Sequence, residues 1–144
     1  MAFGSTFQND LTKLIFNGTA ISNVADNAAA APSTNLWLSL HTADPTGGTQ
    51  GTNETISYTG YTRVAIARTS TGFAITSNVV ALNVNADFPS MTGGTTQTAT
   101  HAGIGLSSAT TGGKLITSGA ITPNIAISLN VIPRLTTGST FTLT

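Results

Sequence analysis

The sequence has no cysteine, which excludes disulfide bonds, thiolate metal sites and thiol nucleophiles. Charge is scarce too: of 144 residues, five are Lys or Arg and five are Asp or Glu, so charged residues make up 7% of the chain. An ordinary globular domain has about 25%. This scarcity excludes coiled coils and charged disordered tails. The lysines and arginines form no cluster, so the sequence predicts no nucleic-acid binding.

Long apolar runs are absent as well. The longest, such as residues 28–31 and 79–82, are far too short to cross a bilayer. The N-terminus lacks the basic region and apolar stretch of a secretory signal. We therefore expect a protein that can mature in a reducing cytoplasm and does not contact a membrane.

Threonine is the commonest residue, with 28 copies. Its branched Cβ suits a pleated sheet better than a helix. The length predicts one domain over residues 1–144. A net charge of zero with so few charges favours association, so either hydroxyls and amides keep a monomer in solution or copies and partners cover the surface.

Residues 5–17 are predicted to form an amphipathic helix. Ser5 and Gln8 have the spacing of a capping box. The apolar residues then follow at helical spacing, and Gly18 stands where a left-handed C-terminal cap is expected. The apolar positions of this stripe are Phe7, Leu11, Leu14 and Ile15.

From Asn35 onward the period changes to two, which is typical of half-buried strands. Such segments, separated by Gly-rich turns, predict about eight strands within residues 35–144. We place strands at 35–41, 63–67, 73–76, 79–84, 95–106, 114–121, 125–129 and 141–143. Gly112 and Gly113 predict a hairpin turn between two of them. This pattern favours an all-β, antiparallel β-sandwich, most simply a jelly roll, with one N-terminal helix.

The residues offer little catalytic chemistry. No two of the five carboxylates are close in sequence, and no Gly-x-Ser-x-Gly motif is present. His41, Asp44 and His101 are the one set with the residue types of a metal site. The plainer interpretation is that His41 points outward from its strand or caps the following loop, and that Asp44 before Pro45 starts a turn. We therefore predict no enzyme activity, no cofactor and no metal, with a small metal- or sugar-active enzyme as the remaining alternative.

Several segments, taken together, resemble a widespread family of small virion proteins of tailed phages, whose members are commonly named phage tail fibre proteins. The most specific combination is Ser-Leu-His-Thr-Ala-Asp-Pro at residues 39–45 followed by Gly-Tyr-Thr-Arg-Val-Ala at residues 60–65. The resemblance continues through residues 88–89, 100–104, 113–119 and 138–143 and includes the helix at residues 7–16.

The resemblance implies an assembly part of the virion without catalytic residues. Proteins of this size with a jelly-roll-like fold also resemble the cement or decoration proteins that stud phage capsids. A true fibre is long and has repeats or a shaft, whereas this chain has neither. The main expectation is therefore a capsid cement protein that binds the major capsid protein on the outside of the head. The alternative is a tail fibre or baseplate component that contributes to host attachment.

Self-association is expected as a homotrimer, which fits the local three-fold positions of an icosahedral shell, with a dimer as the alternative. Arg63, Arg68 and Arg134 are candidate interface contacts, because arginine is enriched at interface hot spots, although they are equally well read as ordinary solvated arginines. Trp37 and Tyr61 are further interface candidates. In the tail alternative, Trp37, Tyr61 or Tyr58 would contact host sugars.

Overall fold

One helix and eleven strands make up the regular structure in the part of the chain that the computed structural model describes, which is residues 5–21, 33–45, 47–55 and 57–143. The helix is α1 (Ser5–Asn17). The strands are β1 (Asn35–His41), β2 (Tyr58–Thr59), β3 (Val64–Ala67), β4 (Phe73–Thr76), β5 (Val79–Leu82), β6 (Ala86–Asp87), β7 (Gly93–Gly94), β8 (Gln97–Gly105), β9 (Leu115–Ile127), β10 (Arg134–Leu135) and β11 (Thr140–Thr142).

The strands pair in four antiparallel sheets. The largest has the order β3-β1-β8-β9, and the next has the order β11-β5-β4. Two small sheets pair β10 with β6 and β2 with β7. The predictions of a mostly β protein, of antiparallel pairing and of one N-terminal helix are therefore confirmed. A jelly roll is not shown, because the strands form several small sheets.

Both faces of β1 are buried, which explains its place at the centre of the largest sheet. Leu36, Leu38 and Leu40 point into the apolar core and are at most 1% exposed. Ser39 and His41 lie on the other face, yet they are buried as well. This second burial comes from the loop after β1, which folds back over the sheet.

The helix occupies the predicted residues, and Gly18 has the left-handed backbone of a C-terminal cap, with φ of 65°. Its buried side agrees only in part with the predicted stripe. Among the helix side chains that the structure describes, Thr12 and Phe16 are buried, whereas Leu11, Leu14 and Ile15 are partly covered, and Ile15 packs against the core. The fourth residue of the stripe, Phe7, lies outside the described side chains. Phe16 packs edge-on against Phe73 of β4, with ring centroids 5.4 Å apart, so this contact fixes which side of the helix faces the sheets.

The C-terminal half of the chain departs from the prediction in two ways. Residues 114–121 and 125–129 do not form two strands: β9 runs through them as one strand and ends at Ile127. Its register against β8 shifts between Ala99 and His101, where the strand passes Pro123. An edge position accommodates a proline within a strand, because the missing N–H is not needed on the outer side. The connection from β8 to β9 spans residues 106–114 and is therefore longer than the predicted hairpin turn, although Gly112 and Gly113 both have positive φ.

The apolar core draws side chains from the helix and from both larger sheets. Its largest fully buried members include Phe16, Phe73 and Phe88. Tyr61 stacks on Phe88 with centroids 6.3 Å apart and meets Tyr58 edge-on at 5.3 Å. Through the Tyr61 hydroxyl, which donates to Glu54, this aromatic group connects the core to the polar cluster described next.

Candidate functional site

A buried ion pair anchors the loop of residues 42–57 to the sheet. Arg63, just before β3, donates from Nε to Oε1 of Glu54 and from Nη2 to Oε2, both at 2.7 Å. Both side chains are fully buried. Two further guanidinium hydrogens go to backbone carbonyls, that of Ser107 at 2.9 Å and that of Gly112 at 3.0 Å. The pair thus joins the loop to the connection between β8 and β9.

Tyr61 connects this ion pair to β1. Its hydroxyl donates to Oε1 of Glu54 at 2.7 Å and accepts from the backbone N–H of Leu40 at 3.1 Å. Burial, together with the nearby Glu54 charge, raises the pKa of Tyr61 far above its ordinary value. Burial also raises the pKa of Tyr58 to about 12, and the Tyr58 hydroxyl donates to the carbonyl of Pro89. Both phenols are therefore neutral donors rather than candidate bases.

His41 is held in one neutral form by its two partners. Nδ1 lies 2.8 Å from the carbonyl of Thr52, which only accepts, so Nδ1 carries the proton. Nε2 then accepts from the hydroxyl of Ser39 at 2.8 Å. Burial lowers the pKa of His41, although the Thr52 carbonyl and the Glu54 charge oppose this effect. His41 thus caps the following loop, which is one of the two predicted roles. It does not point outward, because the loop that it caps buries it completely.

Two glycines of β8 make room for this polar cluster. A Cβ on Gly103 would lie 2.7 Å from Nε2 of His41, and a Cβ on Gly105 would lie 2.2 Å from Oε1 of Gln50. Gln50 donates to the carbonyl of Trp37 at 2.7 Å and accepts from the N–H of Ser107 at 3.2 Å. The glycines of the Gly-Ile-Gly sequence at residues 103–105 therefore let the side chains of His41 and Gln50 approach β8 closely.

The cluster formed by Gln50, Glu54, Tyr61, Arg63 and His41, called the polar clamp below, engages each of these side chains in hydrogen bonds within the protein. This arrangement is suited to holding the 42–57 loop in place rather than to catalysis.

The three residues that the sequence offers as an alternative metal site, His41, Asp44 and His101, do not come together. His41 and His101 do face each other across β1 and β8, in register. However, both ring nitrogens of His41 are occupied as described, His101 hydrogen-bonds to Thr100 through Nδ1, and Asp44 is exposed in the loop. Within the described ranges, no three His, Cys, Asp or Glu side chains are grouped closely enough to hold a metal ion.

Two shallow clefts flank the contact between Gly119 of β9 and Phe141 of β11. One, of about 310 Å³, is lined by residues 119–122 and 138–141 together with Ala102 and Leu135. The other, of about 480 Å³, is lined by residues 115–118, 142–143 and 47–48. Their linings supply hydroxyl and backbone groups but contain no charged residue. They therefore offer hydrogen bonds without a titratable group for acid–base catalysis.

The structure places the candidate interface residues in three different settings. Arg63 and Tyr61 lie inside, at 4% and 8% exposed, so neither presents its side chain to a partner that docks on the folded chain. Tyr58, at 2% exposed, is likewise unable to stack on a host sugar. For these residues the expectation of an accessible contact is wrong. The physical reason is that Arg63 and Tyr61 bind Glu54 of the 42–57 loop, whereas Tyr58 packs against Tyr61 and donates to the carbonyl of Pro89. Composition cannot show these contacts.

Arg68 reaches the end of the helix, and Arg134 remains on the surface. Arg68 follows β3 and donates to the carbonyls of Leu14 and Ile15 in the last turn of α1. It thereby satisfies helix carbonyls that have no partner within the helix. Arg134 pairs with Asp87 across β10 and β6, with both side chains about half exposed. Trp37 is partly buried. The interface roles of Arg134 and Trp37 stay predictions.

Sequence reasoning missed an exposed apolar turn at residues 128–133, which we call the apolar turn. Leu129, Val131 and Ile132 are 57%, 46% and 56% exposed. The alternation of Ile125, Ile127 and Leu129 had predicted a strand up to residue 129, and this prediction is wrong because the chain turns after Ile127. The signal that pointed to this surface is the absence of charge from residue 115 to residue 133.

The sequence matches the family model described as Podophage GP4 fiber I protein gp80 over residues 3–141, which is nearly the whole chain. The chain belongs to this family and is thus a phage fibre protein, as the resemblance implied. No curated protein matches the sequence. Within the described ranges, no helix has the length and apolar character needed to cross a bilayer. The family is one of structural virion proteins, and its description supports the fibre alternative better than the capsid cement interpretation.

Proposed function

We propose that the protein is a non-catalytic structural module of the tail fibre of a podophage and that it contributes to attachment of the phage to its host. The observation that carries this proposal is the family match, which covers residues 3–141 and is described as a fibre protein. Because the match extends over nearly the whole chain, it concerns the entire module rather than a shared fragment.

The polar clamp supports a mechanical rather than a chemical role. Its ion pair between Glu54 and Arg63 joins the 42–57 loop to two other parts of the chain through bonds at 2.7 to 3.0 Å. Breaking one partner of such a buried pair is strongly unfavourable, so the loop is fixed in the folded protein. A fixed loop suits a part that must keep its shape within an assembly.

The chain is proposed to be one module of a fibre rather than its shaft. A shaft is built from repeats, and the 144 residues show no internal repeat. Capsid cement, which was the main expectation from sequence, receives less support, because the matching family is described by a fibre. No contact or surface of the described residues favours the head over the tail.

Deleting the gene from the phage and locating the protein on wild-type virions tests this proposal. Antibodies against the purified chain, visualised with gold by electron microscopy, are expected to label the tail region. Deletion particles are expected to keep heads of normal thermal stability but to adsorb poorly to host cells, and a plasmid copy of the gene should restore adsorption. The proposal would be overturned if the gold label covered the head surface and the deletion particles had heads of lower melting temperature but adsorbed normally. That result would support the cement interpretation instead.

A further inference from the structure

We propose that the apolar turn, together with the neighbouring pair of Asp87 and Arg134, is the surface through which two copies of this chain associate. Three large apolar side chains stand about half exposed within four residues of one turn. Scattered exposed apolar residues are ordinary, whereas a contiguous group marks an interaction site.

The backbone of the turn is fixed, so these side chains are held outward. The N–H of Asn130 donates to the carbonyl of Met91 at 2.9 Å, and the N–H of Val131 donates to the carbonyl of Ser128 at 3.1 Å. The N–H of Phe88 donates to the carbonyl of Pro133 at 2.9 Å. A turn tied at both ends loses little conformational entropy on binding, which favours association.

The rim of this surface points to a second copy as the occupant. Asp87 and Arg134 lie side by side, carry opposite charges and are 47% and 49% exposed. In a two-fold contact the same surface meets itself, so Arg134 of one copy can approach Asp87 of the other. The turn itself carries no charge, and residues 88–133 contain a single charged residue, Lys114, which precedes the far end of β9.

Sedimentation equilibrium of the purified full chain tests this inference. The wild-type protein is expected to associate reversibly. Leu129→Ser and Ile132→Ser should each weaken self-association by about tenfold or more, since each removes a half-exposed apolar side chain from the contact. Leu106→Ser is the matched control: Leu106 is 44% exposed but lies after β8, near the opposite end of β9, and its loss should leave association unchanged. Thermal melts of all variants check that they fold.

Charge reversal adds a second arm that does not depend on apolar contacts. Asp87→Arg places two arginines on the rim, and Arg134→Asp places two carboxylates there, so each variant alone should associate more weakly than wild type. An equimolar mixture of the two should recover association, because each copy then offers the charge that the other lacks.

A wild-type protein that stays monomeric overturns the inference. So does association that the Leu129 and Ile132 changes leave intact, or that the Leu106 change weakens equally. Failure of the charge-reversed mixture to recover places the pair outside the contact and contradicts the proposed rim. The measurement uses purified protein without phage, so these results leave the proposed fibre role standing, and a failed adsorption experiment would not affect them.

Discussion

Glu54 and Arg63 are nine residues apart in sequence and meet in the interior as a two-point ion pair, with both nitrogen–oxygen distances at 2.7 Å. Among the ten charged residues of the chain, this pair is fully buried, whereas Asp87 and Arg134 form a pair at the surface. The buried pair closes the 42–57 loop over β1, so the shape of one side of the molecule depends on it.

We expect Arg63→Ala to destabilise the protein by about 3–5 kcal/mol, because it leaves the Glu54 carboxylate buried without its partner. That loss is a large part of the about 5–15 kcal/mol by which a domain is ordinarily stable. Urea unfolding followed by tryptophan fluorescence measures it. Arg134→Ala is the matched control, since it breaks the exposed pair and should cost far less. Equal losses in the two variants would contradict the role given to the buried pair.

The two tyrosines should resist ionisation in the folded protein. Tyr58 and Tyr61 are the only tyrosines in the sequence, and burial raises the pKa of both. Because the folded pKa lies above the unfolded value of about 10, stability is full below that pH and falls as the pH rises above it. Ultraviolet absorbance should therefore show almost no phenolate while the protein stays folded from pH 10 to about 11, which is below the Tyr58 pKa of about 12, and a sudden two-tyrosine signal when it unfolds. Gradual titration near pH 10 without unfolding would contradict this.

Stability should also fall on mild acidification because of His41. The pKa of His41 in the folded protein is lowered from the ordinary value of 6.5, so on acidification the unfolded chain binds a proton at this residue before the folded protein does. The contribution of neutral His41 to the free energy of unfolding is complete above pH 6.5. It is lost as the pH falls below 6.5, by at most about 1.4 kcal/mol per pH unit. Unfolding measured across this range should show the slope in wild type and a flatter slope in His41→Gln. Asp87, whose pKa Arg134 lowers from 3.8, acts only at more acidic pH.

Arg68→Ala should loosen the helix from the sheet. Arg68 donates to the carbonyls of Leu14 and Ile15, and charged hydrogen bonds of this kind contribute about 1.5–3 kcal/mol. The variant should lose stability by that amount, and its helical circular dichroism should melt before the rest of the protein. Lys13→Ala, which removes a positive charge from the helix itself, should change neither property. A helix that melts together with the sheets in Arg68→Ala would show that Phe16 alone holds it.

The sequence correctly predicted those helices, strands and turns that depend on residues close together in the chain. The helix from Ser5 to Asn17 and the strand from Asn35 to His41 follow from their periods, and Gly18 adopts the backbone that a helix cap requires. The strands predicted at 73–76 and 79–84 also form, as β4 and a shorter β5, and Ser77 between them has φ of 56°. Each of these depends on residues close together in the chain.

The polar clamp and the apolar turn depend on contacts between distant residues, and sequence reasoning did not find them. Nothing near Arg63 in the sequence distinguishes a buried guanidinium from a solvated one, because its burial comes from the loop that carries Glu54. Phe16 was outside the predicted apolar stripe because Phe73, 57 positions later, determines which side of the helix is covered. Leu129 continues an alternating pattern, yet the chain leaves the sheet two residues earlier.

The copy number of this protein per virion tests the proposed fibre role most directly. Quantitative mass spectrometry of purified particles, calibrated against the major capsid protein, measures it. A fibre module is expected at a small fraction of the capsid protein, since a virion carries few fibres. A ratio near equality, or a simple large fraction of it, would place the protein on the head shell and contradict the account.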